Sequence, residues 1–171
     1  HTEAWAKRRA SIEKDIGKAA RHLQRLAKRR REIAAEIFVP PQKAYADFVR
    51  RFPYSETAHQ TSAIQAVLQD LSSGRPMNRL VCGDVGFGKT EVALRAAAAV
   101  ALCGAQVLVI APTTVLARQH YLIFQRRFAN TNVNVKMLSR VVERKTAEQV
   151  KTGLASGDVG IVIATQAVLA K

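Results

Sequence analysis

Apolar side chains recur at spacings of three, four or seven along the first part of the chain, which is the pattern of an amphipathic helix. The pattern runs from about Glu3 to Ile37 and contains no proline. A continuous helix of that length would extend roughly 50 Å at about 1.5 Å per residue, too far to be buried within a small α/β body. The segment Phe38-Val39-Pro40-Pro41 ends the pattern, because proline lacks a backbone donor and disfavours helix in the residue before it. We therefore predict a domain boundary near residue 40.

Beyond this boundary, short apolar runs alternate with helical periods. Helices are predicted over residues 43–51, 57–71, 91–103, 115–128 and 143–155. Buried strands are predicted over residues 79–82, 106–111, 135–138 and 160–164. Thr57 and Gln60 have the spacing of a capping box at the start of the second helix. The alternation predicts an α/β fold with a parallel, doubly wound sheet and right-handed crossovers.

The loop after the first predicted strand carries the clearest chemistry. It reads Gly-Asp-Val-Gly-Phe-Gly-Lys-Thr and fits the phosphate-loop pattern G-x-x-x-x-G-K-[ST]. Glycines let the backbone curl around a polyphosphate, Lys89 is expected at the β and γ phosphates, and the Thr90 hydroxyl is expected on Mg²⁺. The helix that follows aims the positive end of its dipole at the anion. The candidate nucleotide-binding residues are Gly83, Asp84, Val85, Gly86, Phe87, Gly88, Lys89, Thr90 and Glu91, with Lys89 and Thr90 also the candidate catalytic residues.

Charge and composition add a second expectation. The 171 residues are 48% apolar and 23% charged, and 27 Lys and Arg against 13 Asp and Glu give a net charge of +14. Such an excess favours a polyanionic partner, a nucleic acid or a membrane surface, although a solvated basic face is the alternative. Residues 1–51 hold 14 basic and 6 acidic side chains. Two interpretations of the long helix follow. It is a basic arm that binds DNA or an acidic partner, or it is a helix that packs on the next domain.

The sequence also excludes several classes. It contains no run of 18 apolar residues and no apolar core of a signal peptide, so we expect a soluble, cytoplasmic protein. Cys82 and Cys103 lack the spacing of a metal site, and we expect both to be buried, reduced thiols. The four histidines are scattered, which gives a metal cluster no support.

Polar and basic residues follow three of the predicted strands, where an open parallel sheet binds its ligands. They are Thr113, Thr114 and Arg118 after the second strand, Ser139 and Arg140 after the third, and Thr165 at the end of the fourth. Hydroxyl groups and helix N-termini at these positions suit contacts with the phosphate backbone of DNA. Ordinary helix capping by Ser and Thr is the alternative interpretation.

Two stretches resemble helicase motifs of the bacterial transcription-repair coupling factors. Arg79 to Ala93 resembles the family's first motif, and Pro112 to Tyr121 resembles its next one. The related RecG-type branch-migration helicases usually have Ser where Phe87 stands and Glu where Thr114 stands, so these two positions favour the coupling factors. The resemblance covers nearly the whole chain and is strongest over residues 52–128.

Residues 52–60 resemble the family's adenine-recognition segment. The resemblance implies that Phe52 packs on adenine and that Gln60 hydrogen-bonds its edge, a role that competes with the capping box for one amide. It also implies that Thr113, Ser139, Arg140 and Thr165 track one DNA strand. At Ala164-Thr165-Gln166 the chain departs from the family's usual Gly-Thr-His, which leaves the Thr intact.

By this resemblance, residues 1–40 are a basic linker helix, and residues 41–171 are the first part of a RecA-like ATP-binding domain of a superfamily 2 helicase. The family's Asp-Glu-x-His motif, which holds Mg²⁺ and activates water, is expected beyond Lys171, so we expect a truncated piece that grips ATP without splitting it. The whole protein is then an ATP- and Mg²⁺-dependent double-stranded DNA translocase that removes stalled RNA polymerase and recruits excision-repair proteins. The alternatives are a RecG-type helicase of branched DNA and, for this chain alone, a non-catalytic basic module that binds DNA or a partner.

Overall fold

A computed structural model describes residues 2–168 of the chain. His1 and residues 169–171, which the predicted domain limits include, lie outside the described residues. The helices are α1 (Thr2–Glu32), α2 (Gln42–Arg50), α3 (Ala58–Leu71), α4 (Lys89–Ala101), α5 (Thr114–Phe128) and α6 (Arg144–Ser156), and a short 3-10 turn covers Gln166–Val168. The strands are β1 (Val107–Ala111), β2 (Val135–Leu138) and β3 (Ile161–Thr165).

The three strands form one parallel sheet in the order β1-β3-β2. Because the chain passes from β1 to β2 through α5 and returns to β3 through α6, right-handed crossovers put the two helices on opposite faces. The central strand shows this directly. Ile161 and Ile163 pack in the core that contains Phe124 of α5, whereas Val162 packs with Val150 of α6. The predicted α/β fold with a parallel, doubly wound sheet is confirmed.

The α4 helix packs tightly because its buried face is built from small side chains. Ala97, Ala98 and Ala101 are almost fully buried in the same core as α5, and Val92 packs against Ile64 of α3. A short turn over residues 102–106 reverses the chain between α4 and β1. The N-terminal end of α4 therefore lies toward the carboxyl edge of the sheet.

The predicted strand over residues 79–82 is wrong. This segment is extended but has no ladder partner among the described residues, and Leu80 is 86% exposed. A strand needs a hydrogen-bonded neighbour, which an apolar run does not supply by itself. The side chain of Arg79 instead ties the segment to α3, with its Nε 2.6 Å from Oδ2 of Asp70.

The predicted burial of the two cysteines and the predicted full burial of β1 are also wrong. Cys82 lies in this unpaired segment and Cys103 in the turn after α4, and both free thiols are exposed rather than buried. The first strand of the sheet, β1, was predicted to be fully buried. Leu108 and Ile110, which lie on one face of β1, are 50% and 38% exposed, because β1 is an edge strand of the described sheet and that face is only partly covered.

The long helix α1 ends at Glu32, earlier than the predicted Ile37. The segment after α1 contacts the end of α3 and the turn that follows it: the backbone N–H of Phe38 donates to Leu71 O, and that of Ala35 donates to Gly74 O. Along most of α1, the apolar stripe is exposed; Ile12, Ile16 and Leu23 are all more than half exposed. Both interpretations of this helix therefore stay predictions.

None of the helices over residues 2–168 combines the length and the apolar content that a membrane crossing requires. Within the same residues there is also no group of three or more histidine, cysteine, aspartate or glutamate side chains that could hold a metal ion.

Candidate nucleotide-binding site

The backbone of the phosphate loop takes its shape from two glycines. Gly86 and Gly88 have φ angles of 86° and 72°, in the left-handed region where a side chain is disfavoured. Gly88 is also the residue that precedes the first turn of α4, which begins at Lys89. The loop therefore leads directly into the N-terminal end of α4.

Free backbone donors collect at this turn. The N–H groups of Gly86, Gly88, Lys89 and Thr90 have no acceptor among the described residues, whereas that of Glu91 donates to Gly88 O at 2.9 Å. Unpaired N–H groups at a helix N-terminus, together with the helix dipole, form a binding site for an anion. The residues present therefore fit a bound polyphosphate.

The Lys89 ammonium lies inside the loop. Its Nζ donates to Gly83 O and to Asp84 O, both at 2.6 Å. A lysine ammonium has three hydrogens, so one remains for an oxygen that is not part of the protein. The side chains of Val85 and Phe87 are 98% and 65% exposed, which leaves the loop's interior to the backbone and the lysine.

Gln60 uses both atoms of its amide. Its Oε1 accepts from Thr57 N at 2.9 Å and Thr57 Oγ1 accepts from Gln60 N at 3.2 Å, so the predicted capping box of α3 is confirmed. Its Nε2 donates to Phe87 O of the phosphate loop at 3.0 Å. The capping role is thus compatible with a second contact, and that contact is with the loop.

A cavity of about 490 Å³ opens beside the loop. Phe52, Gln60, Gly88 and Thr90 line it, together with Arg126 from α5. This volume is in the range of pockets that enclose small ligands. The cavity brings the predicted adenine-contacting ring of Phe52 and the hydroxyl-bearing Thr90 to the same space.

The carboxylate of Glu91, a predicted nucleotide-binding residue, is occupied by the protein itself. Glu91 is only 4% exposed. Its Oε1 lies 2.6 Å from Arg95 Nε and 3.0 Å from Arg127 Nη2, and its Oε2 lies 2.9 Å from Arg127 Nη1. Arg95 also forms an ion pair with Glu56. The structure therefore makes Glu91 a buried partner of two arginines rather than an open ligand.

Burial on its own lowers the pKa of Arg95, but its hydrogen bond to Glu91 and the charges of Glu91 and Glu56 outweigh that effect. The pKa of Arg95 consequently lies above its usual value, and the guanidinium stays charged. Sequence reasoning missed Arg95, Arg127 and Glu56. The spacing of Glu91 and Arg95, four apart on one helix, is a signal for their pair, but no local pattern indicates the other two.

The residues predicted to contact DNA gather along one edge of the sheet. Because the parallel strands run in the order β1-β3-β2, Thr113, Thr165 and Ser139 follow one another along the carboxyl edge. Thr113 caps α5, since its Oγ1 accepts from Leu116 N at 3.2 Å. Thr165 is 6% exposed, and its hydroxyl and that of Ser139 are buried without a partner among the described residues.

The other three members of the predicted set differ in exposure. Arg118 and Arg140 are exposed, and Thr114 begins α5 with a half-buried side chain. The edge thus carries two exposed guanidinium groups, the helix-capping hydroxyl of Thr113 and the enclosed hydroxyls of Ser139 and Thr165.

A glycine-rich loop that leads into a helix on a parallel α/β sheet defines a phosphate-loop nucleotide-binding protein. Residues 57–171 match the family model described as DEAD/DEAH box helicase. This match covers more than half of the chain, and the chain belongs to that family.

Curated relatives give a finer similarity. The chain is 41% identical to the transcription-repair-coupling factor of Rickettsia bellii, over 98% of this chain and 15% of the relative. It is 44% identical to that of Haemophilus influenzae over 95% of this chain and 14% of the relative, and 40% identical to that of Bacillus subtilis over 98% and 14%. The resemblance to these factors is confirmed, and the chain spans only about 15% of their length.

Solved structures agree on the fold. A structure of RecG bound to a three-way DNA junction has a TM-score of 0.79 and 34% identity, over 85% of this chain and 20% of that chain. A hypothetical ATP-dependent RNA helicase from Sulfolobus tokodaii has a TM-score of 0.57 at 22% identity, over 75% of this chain and 35% of that chain. The second likeness concerns the fold alone.

Proposed function

We propose that this chain is the ATP- and Mg²⁺-binding part of an ATP-dependent double-stranded DNA translocase. The observation that carries the proposal is the phosphate loop, with its four unpaired N–H groups and the partly free ammonium of Lys89. Membership of a helicase family and the relatives' similarity support a motor function.

Each residue has a distinct role in this proposal. The N–H groups of Gly86 and Gly88 donate to phosphate oxygens, and the third hydrogen of Lys89 is donated to the β and γ phosphates. The Thr90 hydroxyl is the candidate ligand of Mg²⁺, whose chemistry is to neutralise charge on the phosphate oxygens. The aromatic ring of Phe52, which lines the same cavity, is the candidate contact of the base.

For the whole protein, we propose that the nucleotide cycle drives movement along DNA through the carboxyl edge of the sheet. Arg118 and Arg140 are exposed there and available to phosphates of the DNA backbone. Removal of stalled RNA polymerase and recruitment of excision-repair proteins belong to this proposal because the curated relatives are transcription-repair-coupling factors.

The proposal is tested by Lys89→Ala in the full-length protein. Because the ammonium compensates charge on the transferred phosphoryl group, we expect ATP hydrolysis to fall by about a hundredfold or more and translocation to stop. Lys145→Ala, at an exposed position of α6, is the matched control and should keep full activity. Hydrolysis that survives Lys89→Ala in a properly folded protein would refute the assignment.

A RecG-type helicase of branched DNA is the second candidate, favoured by the similarity to RecG bound to a three-way junction. The two candidates differ in substrate. Displacement of a stalled RNA polymerase by the full-length protein supports the first, and ATP-dependent remodelling of a three-way junction without polymerase displacement supports the second.

A further inference from the structure

Four charged side chains form a buried cluster beside the nucleotide cavity. This charge cluster consists of Glu56, Glu91, Arg95 and Arg127, and it joins the segment before α3 to helices α4 and α5. Glu91, Arg95 and Arg127 are 4%, 3% and 6% exposed, and Glu56 is partly exposed at the rim. Two carboxylates face two guanidinium groups, so the cluster is electrically balanced.

The cluster contacts the Phe52 ring, which lines the cavity and is the ring proposed to contact the base. The Cζ atoms of Arg127 and Arg95 lie 5.5 Å and 6.0 Å from the centroid of the Phe52 ring, within the range of a cation–π contact. Arg127 also lies 4.7 Å from the ring of Phe48, and its Nη2 donates to Phe48 O at 3.4 Å. The end of α2 and the Phe52 ring are therefore both anchored on Arg127.

The same cluster is attached to the phosphate loop. Glu91 directly follows Thr90 in the first turn of α4, and its backbone N–H donates to Gly88 O at 2.9 Å. Both of its carboxylate oxygens bond Arg127, and one of them also bonds Arg95. An unbroken set of bonds thus runs from the turn that carries Lys89 and Thr90 to the Phe52 ring.

Stability is a weak reason for burying such a cluster. Taking charges out of water is costly, and well-packed apolar residues in place of a buried ion network are often as stable or more so. What the ionic arrangement adds is geometry, because a planar guanidinium that bonds a carboxylate through two nitrogens has one preferred orientation.

We propose that Arg127 and Arg95 are positioning residues of the base subsite, which fix the Phe52 ring at a set place relative to the phosphate loop. The inference rests on the proposed function, since it takes the cavity to be the nucleotide site. Arg127 itself lines the cavity, but in this proposal both arginines act on the nucleotide through the Phe52 ring rather than by direct contact. Each acts through the Phe52 ring, and Glu91 links them to the loop.

The test compares a ligand that has a base with one that has none. Full-length protein is titrated with ATP and with inorganic tripolyphosphate in the presence of Mg²⁺. Arg127→Lys keeps the charge but loses the planar, two-nitrogen contact with Glu91. We expect its ATP affinity to fall about tenfold, within the range that loss of a base–aromatic stack gives, while tripolyphosphate affinity changes by less than about twofold.

The test includes one control variant and one alternative variant. Arg50→Lys is the matched control, because Arg50 lies two residues before Phe52 but pairs with Asp47 in solvent, and it should change neither affinity. If Arg127→Lys does not fold, Glu56→Gln changes the cluster from its rim, where the side chain is 25% exposed. It should lower ATP affinity several-fold and leave tripolyphosphate binding as it was.

A double-mutant cycle identifies the ring as the intermediary. Phe52→Leu should lower ATP affinity by itself, and Arg127→Lys should add little in the Phe52→Leu background, because the group that it positions is already gone. Full additivity of the two changes would overturn the inference, and so would an equal loss of ATP and tripolyphosphate affinity. A wild-type protein that binds neither ligand would instead overturn the proposed function itself.

Discussion

The phosphate loop and the carboxyl edge of the sheet are both rich in polar groups, but they differ in how those groups are used. In the loop, the N–H groups of Gly88 and Thr90 are unpaired at the open end of a helix. Along the sheet edge, Thr113 is engaged in capping, and the hydroxyls of Ser139 and Thr165 are enclosed without a partner. The loop can receive an anion as it stands, whereas two hydroxyls of the edge must first become exposed.

Among the stability changes that we predict for the loop and the sheet edge, the largest are those caused by replacing the two glycines of the loop. Alanine in the left-handed region costs about 1–2 kcal/mol at either position. A Cβ at Gly86 meets nothing within 4 Å, whereas a Cβ at Gly88 overlaps the Nε2 of Gln60. Gly88→Ala should therefore lower the free energy of unfolding by about 1 kcal/mol more than Gly86→Ala, because it also disturbs the capping box.

Urea unfolding of the two glycine variants measures this difference, and Gln60→Ala provides the control. Once the amide is removed, the two variants should cost the same. If Gly88→Ala remains the more costly variant in the Gln60→Ala background, the contact between Gln60 and the loop is not what separates the glycines.

The next largest effect separates capping from DNA contact at the sheet edge. Thr113→Ala removes the cap of α5 and should cost about 1 kcal/mol of unfolding free energy. Ser139→Ala removes a buried hydroxyl that has no partner, so its cost should be close to zero. Unfolding curves of the two variants give the stabilities, with Thr113→Ser as the variant that keeps a cap.

The DNA affinity of the full-length protein is then measured for Thr113→Ala and Ser139→Ala. If Ser139 contacts a phosphate, Ser139→Ala should weaken DNA binding even though it leaves stability unchanged. Unchanged DNA affinity in Ser139→Ala would remove Ser139 from the proposed contact set and leave the edge to Arg118 and Arg140.

Local sequence patterns correctly predicted the helices and strands that depend mainly on residues close together in the chain. The α3 helix follows from its periodicity and from the capping box of Thr57 and Gln60, and β2 was predicted at its observed bounds of Val135–Leu138. The segment over residues 79–82 has an equally apolar sequence, yet it is no strand, because pairing depends on a neighbour that a local pattern cannot provide.

The candidate site divides in the same way. The glycines and Lys89 of the loop could be predicted, since the motif specifies them within eight consecutive residues. The charge cluster could not, because Arg127 reaches Glu91 from 36 positions away and Glu56 reaches Arg95 from 39. Such contacts are set by how α4 and α5 pack, and helical spacing indicates only the pair of Glu91 and Arg95.

The smallest predicted effect concerns the approach to the loop. Asp70 and Arg79 hold the extended segment before Gly83, and the hydrogen bond from Arg79 lowers the pKa of Asp70 below its ordinary value of 3.8. A carboxyl with a lowered pKa stabilises the fold above its unfolded pKa, and that contribution disappears as the pH falls through the folded value. Asp70→Asn should therefore be slightly less stable than the wild type at pH 7, by less than Thr113→Ala, and the gap should narrow progressively as the pH falls below about 4. Urea midpoints of the two proteins at pH 7 and at a pH below about 4 measure this difference in stability. A gap that persists at low pH would mean that Asp70 stabilises the fold through packing. The extended segment before the loop would then not be held by the charge of Asp70.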